Sequence, residues 1–262
     1  MPRMKRTTTP AACLSLLTVL LLSACAKTPV VAPPVESGPG SGSGTATATA
    51  TGTGAIDGGK LSYPQVLVMA LNGNHVAEFE LGAMLHDGDG VDRDYAKALE
   101  WYEKAATAGN RQAMFNIGLM EKNGEGGEQD LAKARTWFVR ASDAGDVRGT
   151  FQLAQMSYFG QATAQDYAKA FSYYTKAAMA GLPEAQMNVG VMNVRGEGMA
   201  KQDSVEAYAW LQVAKDSGNE RAVSLVDSLA AQLTDEQKKT GEERAAALKA
   251  EIKMKAGPNA RL

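Results

Sequence analysis

Cysteine is nearly missing from this chain. Its 262 residues hold two, Cys13 and Cys25. Beyond residue 25 there is neither a disulfide nor a thiol nucleophile, so packing alone must stabilise any fold there. Histidine is as scarce. His75 and His86 are the only two, with no His-x-x-x-His pair, so a histidine-based metal site would have at most two such ligands. No sign of charge dominates either: 27 basic against 29 acidic side chains give a net charge of −2. A near-neutral chain without a basic stripe argues against nucleic acid as a partner. No apolar run reaches the ~20 residues of a membrane-spanning helix. Ser-x-x-Lys, Gly-x-Ser-x-Gly and glycine-rich dinucleotide signatures are all missing, so no familiar nucleophile or nucleotide cradle is on offer. Gly54 and Gly59-Lys60 have phosphate-loop spacing, but Leu61 stands where Ser or Thr must hold magnesium and no apolar strand precedes them.

What is present begins with a basic start (Arg3, Lys5, Arg6) and an apolar run from Ala11 to Leu22, then Leu22-Ser23-Ala24-Cys25. The charged, apolar and small-residue order is that of a secretory signal. With cysteine at the cleavage point it resembles a bacterial lipoprotein box. That resemblance implies a signal peptide over 1–24, cleavage before Cys25, and diacylglycerol with a further acyl chain (palmitate) on Cys25. Several chains matter, because one binds membranes only marginally. Ala26 is not the aspartate associated with inner-membrane retention, so the expected location is the outer membrane, periplasmic face. Removing 1–24 takes away three basic residues and no acidic one, leaving 24 against 29 and a net charge of −5.

Residues 25–59 change character. Pro29, Pro33, Pro34 and Pro39 give way to a Gly/Ser stretch and then to Thr-Ala and Thr-Gly alternation. Such sequence cannot bury enough apolar surface to offset its ordering entropy. It reads as a disordered tether with a reach of roughly 30–35 Å for about 35 residues.

The rest is periodic. Ala77, Ala113, Gly149 and Ala185 lie 36 residues apart, as do Leu81, Ile117, Leu153 and Val189, and Gly82, Gly118, Ala154 and Gly190. Gly88, Gly124, Gly160 and Gly196 follow, then Asp94, Asp130, Asp166 and Asp203, the last step longer by one residue. Trp101, Trp137, Tyr173 and Trp210 share one position. Each unit predicts two short helices. The first runs from about Ala77 to Leu85, and Gly82 lets its partner helix come close. Gly88 and Gly90 permit left-handed backbone in the turn, and Asp94 caps the second helix. That helix carries Ala98, Trp101, Tyr102 and Ala105 on its buried face, with the tryptophans buried between helices. One unit cannot bury both apolar faces alone, so units must stack.

The pattern Leu81-Gly82 … Gly88-x-Gly90-Val91-x-x-Asp94 … Lys97-Ala98 … Trp101-Tyr102-x-Lys104-Ala105-Ala106 … Gly109 resembles the Sel-one-like repeat, a relative of the tetratricopeptide repeat. It implies an all-α fold, an α-solenoid of tetratricopeptide-like helix-turn-helix repeats. Four units are expected, over 77–112, 113–148, 149–184 and 185–221. Ala162 departs from the pattern at a turn glycine, Gly149 at the opening alanine, Glu206 at the usual lysine and Leu211 at the aromatic. Residues 60–76 read as a half-repeat cap. Residues 221–255 read as capping helices, with a Thr234/Gln237 capping box and Ala245, Leu248 and Ile252 sealing the core. A disordered tail, 256–262, follows.

The loop Asp87–Asp94 invites a calcium reading, but Val91 and Ala98 occupy two positions that need oxygen ligands. No metal, cofactor or catalytic site is assigned, and the chain is expected not to be an enzyme. The resemblance implies a protein-binding scaffold of the cell envelope. In tetratricopeptide-like stacks the first helices line the concave face. There Glu80, Asn116, Gln152 and Asn188 form a polar row, and Phe79, Phe115 and Phe151, with Met187, an aromatic one. Amides can donate to and accept from an extended peptide, and rings add apolar contact. The expected partner is an envelope protein or peptide, alongside the membrane that holds the lipid. The alternative is peptidoglycan-fragment binding or a wall-remodelling role.

Overall fold

The computed structural model describes residues 61–256; the signal peptide, Cys25, the tether and residues 257–262 lie outside them. Among the described residues there are 11 helices and no strand. They fall into two compact units, one over residues 61–177 and one from residue 178 onward.

In the first unit, α1 (Tyr63–Leu71) leads into three helix pairs: α2 (His75–Asp87) with α3 (Tyr95–Thr107), α4 (Arg111–Asn123) with α5 (Leu131–Asp143), and α6 (Val147–Phe159) with α7 (Tyr167–Met179). Each first helix starts two residues before the expected alanine, because a capping residue precedes it. Asn74 accepts the backbone N–H groups of Val76 and Ala77 at 3.0 and 3.1 Å, and Asn110 does the same for Gln112 and Ala113. Second helices begin on the repeat aspartates. Asp94 accepts from Lys97 N at 3.0 Å, and Asp130 accepts from Ala132 and Lys133 N at 3.0 and 2.9 Å. The turn between them needs left-handed backbone twice. Gly88 and Gly90 supply it at φ 77° and 71°, while in the third repeat Ala162 takes the same conformation at φ 62°. The turn geometry survives the loss of glycine there, at a local cost in strain.

Close approach fixes the pairing. A Cβ on Gly82 would lie 2.7 Å from the Tyr102 ring, and one on Gly118 would lie 2.6 Å from Phe138. The ring sits on the glycine. Gly149 has its own reason: a Cβ there would meet Ala141 Cβ at 2.9 Å and Phe138 O at 3.0 Å.

The aromatic that enters the core is therefore not the repeat tryptophan. Tyr102, Phe138 and Tyr174 are fully buried, whereas Trp101 and Trp137 are half-buried beside the core. Lys104 Nζ lies 3.5 Å from the Trp101 ring centroid and Arg140 lies 4.1 Å from that of Trp137, so each ring has a cation on its outer face. The expected burial of all three tryptophans is corrected at these two. One step along a helix turns a side chain by about 100°, and the glycine contact selects the next residue.

In the second unit, α8 (Pro183–Arg195) pairs with α9 (Ser204–Asp216), and α10 (Glu220–Ala230) and α11 (Asp235–Ala256) pack against α9. Here Trp210 is buried, and its Nε1 donates to Glu206 at 2.9 Å. Both departures of this repeat have a reason. A Cβ on Gly190 would lie 2.7 Å from Leu211, so the leucine fills the aromatic's place. Glu206 accepts from Arg244 of α11 at 2.9 and 3.2 Å. Thr234 and Gln237 form the capping box, at 2.9 and 3.2 Å, and Ala245, Leu248 and Ile252 are buried.

Candidate partner-binding face

Position 80 and its equivalents lie mid-way along each first helix. The polar row is not uniform. Glu80 is exposed and Asn116 half-buried, but Gln152 is 5% exposed. In the second unit Asn188 is 1% exposed, and its Nδ2 has no hydrogen-bond partner. The amides of Gln152 and Asn188 are thus not solvated, and replacing them disturbs the packing as well as any surface. Continuous burial explains this. In α6 every residue from Gly149 to Tyr158 is buried, and in α8 every residue from Ala185 to Asn193.

The aromatic row also points inward. Phe79 packs on Tyr102 with ring centroids 5.6 Å apart, Phe115 on Phe138 at 5.8 Å and Phe151 on Tyr174 at 5.5 Å. Phe151 has no exposed surface, and Met187 is buried too. Phe115 carries Arg148 over its ring at 4.3 Å. Ring surface for a partner is accordingly corrected to core at Phe115, Phe151 and Met187, and only half-buried Phe79 retains some.

A residue that the sequence reading passed over joins the row. Lys122, near the end of α4, donates from Nζ to Gln152 Oε1 at 2.9 Å. Burial pushes its ammonium below the usual lysine range, and no carboxylate pairs with it among the described residues. Burial pushes the Tyr102 phenol well above its usual value. Lysine at position 122 breaks the repeat, where His86, Tyr158 and Val194 stand instead; that irregularity was the available signal. His86 differs again. Its Nε2 lies 3.0 Å from Glu125 Oε2 and its Nδ1 2.7 Å from Asp87 Oδ1, linking one repeat to the next turn. Beside that turn, Glu121, Glu125, Glu128 and Asp130 line an open acidic recess with Lys133. No group of three or more histidine, cysteine or acidic residues among the described residues is placed to hold a metal ion.

The Sel1 repeat matches four times, over 75–110, 111–146, 147–182 and 183–219, which is more than half of the chain. The chain belongs to the Sel1 repeat family. Its bounds begin where the first helices begin. A Sel1 repeat protein of Oxalobacter formigenes is similar at 30% identity with a TM-score of 0.58, over 64% of this chain and 48% of that one. The protein c5321, a protective antigen of uropathogenic Escherichia coli strains displaying an SLR fold, aligns at 21% identity with a TM-score of 0.47, over 76% and 52%. The chain thus spans about half the length of these solved relatives. A search of the curated proteins finds no match. Sel1 repeats are protein-interaction modules and not typically enzymes.

Proposed function

We propose that this Sel1 repeat chain is a lipid-anchored interaction scaffold of the bacterial cell envelope. Cys25 holds it on the periplasmic face of the outer membrane, and the tether lets the repeats reach a protein or peptide partner. The anchor reading is supported by the order of charged, apolar and small residues before Cys25. The binding reading is carried by one observation: Glu80 and Asn116 keep exposed surface on their first helices, and Lys122 reaches the same row at Gln152, a cation held by an amide and not by an acid. Such a set suits a peptide, whose backbone amides meet Asn116 and whose carboxylate meets Lys122.

Pull-down from envelope extract tests it. Glu80→Ala with Asn116→Ala and Lys122→Ala should keep the fold, since none of the three is fully buried, and lose most of what the wild type captures. Undiminished capture by a folded triple variant removes the row from the site. Cys25→Ser should leave the protein uncleaved or misplaced; if it still fractionates with the outer membrane after a salt wash, the anchor reading fails.

Lys122, which has no carboxylate partner among the described residues, also favours a second reading, in which a muropeptide supplies the carboxylate. Muropeptide titration of the purified protein separates the two, because a protein scaffold shows no saturable heat.

A further inference from the structure

The large apolar residues that the fold leaves exposed are not scattered. Of the eight among the described residues, five fall between residues 61 and 76: Leu61, Val68, Met69, Leu71 and Val76. The others, Phe159, Val223 and Met254, lie far apart in the sequence. α1 buries Val66 and Ala70 against the first repeat, while Val68 is 58% and Leu71 67% exposed; Val76, opening α2, is 73% exposed. From Leu61 to Asn74 no residue is charged. A helix apolar on nearly every side is normally covered, and terminal repeats normally turn a polar face outward. α1 does neither.

Two features indicate what covers it. The patch is small. Five side chains fall well short of the ~20–30 residues a side of a stable protein interface, so a second copy is a poor occupant. It is also the first helix among the described residues after Cys25, joined to it by about 35 tether-like residues whose flexible reach is roughly 30–35 Å. A surface that is weakly attractive by itself becomes well occupied when a tether holds it at high effective concentration. A bilayer needs no matching pocket and accepts uncharged apolar side chains at its headgroup boundary.

We propose that the outer face of α1, with Leu61, Val68, Met69 and Leu71, rests on the lipid bilayer to which the chain is tethered. The proposal rests on the Cys25 anchor reading for its occupant. It gives the first unit a fixed orientation: α1 lies down on the membrane.

The test uses the chain from Cys25 onward, which retains every described residue. Its single thiol is coupled to maleimide lipid in phosphatidylcholine vesicles at one copy per vesicle. Hydrogen exchange is then compared with that of the same chain with the thiol blocked. Exchange over 61–76 should slow on the order of tenfold, with 235–256 unchanged. Val68→Ser with Leu71→Ser, both largely exposed and so compatible with folding, should abolish the slowing. Equal rates in tethered and free chains overturn the proposal. So does slowing that survives the double change, and slowing seen only at many copies per vesicle, which identifies a second copy instead. The mass of Cys25 peptides from cells reads the anchor separately: an unmodified cysteine overturns that reading and leaves the vesicle result to stand by itself.

Discussion

The helices at the two ends of the described chain meet the same requirement in opposite ways. α11 closes the second unit with Ala245, Leu248 and Ile252 turned inward, and 11 of its 22 residues are charged. Arg244 binds Glu206 and Glu251, and Lys249 binds Asp216 at 2.7 Å. α1 turns Val66 and Ala70 inward and has no charge at all. A repeat array must stop somewhere, and water accepts the stop only if the last face is polar. α11 finishes the array toward water. α1 leaves an uncharged, apolar outer face, the one proposed to rest on the bilayer.

The same contrast runs through the repeat tryptophans, and the largest expected effect lies there. Trp210→Ala, beneath the α11 end, should cost about 3–5 kcal/mol, as truncation of a buried aromatic does. Trp137→Ala should cost clearly less, because its ring is only partly buried, under Arg140. Urea unfolding compares the two, and equal losses would break the distinction between a covered and an uncovered repeat position. Next, Leu248→Ala should cost about 2–5 kcal/mol, whereas Leu71→Ala at the other end should stay within about 0.5 kcal/mol.

A smaller effect sharpens the account of how α11 is held. Glu206→Ala strands the buried Trp210 Nε1 donor, at about 1–3 kcal/mol. Arg244→Ala removes only partly exposed ion pairs, to Glu206 and Glu251, at about 0–1 kcal/mol. Reversal of that order would show that the ion pair, not the indole, sets the value of Glu206. Ala162→Gly should raise stability by about 1 kcal/mol, by relieving left-handed backbone that its counterparts Gly90, Gly126 and Gly198 adopt freely.

The smallest effect concerns pH. The Lys97 side chain and backbone hold Asp94 below the usual carboxylate range, and the Lys133 backbone N–H does the same for Asp130. A depressed folded value means the contribution is present above the unfolded value of about 3.9 and lost as pH falls through the folded one. Asp94→Asn with Asp130→Asn should flatten the acid limb of stability while keeping both caps. An unchanged acid limb would exclude these carboxylates as its source.

Much of this fold was legible as spacing. Helix pairs, turn glycines and aspartate caps recur every 36 residues, and spacing identifies positions that do the same work. Facing was less legible. Trp101 and Tyr102 are adjacent and both aromatic, and only the Tyr102 ring seated on Gly82, where a Cβ would lie 2.7 Å from it, reveals which of them enters the core. The site was harder still. Gln152 resembles Asn116 in chemistry and register, yet one is buried and the other half-exposed, because α6 is enclosed along its length and α4 is not. Lys122 breaks the repeat, and a search for periodicity passes over what does not repeat.

That face is where the central claim, a scaffold that holds a protein partner, meets its most direct test. A photo-crosslinking residue is placed at Glu80, at Asn116 and, for comparison, at exposed Lys253 of α11, and adducts formed in intact envelopes are identified by mass spectrometry. The account predicts that one and the same envelope protein is captured from Glu80 and Asn116 and is missing from Lys253. Capture of that protein equally from Lys253, or no protein adduct from either row position, would contradict it.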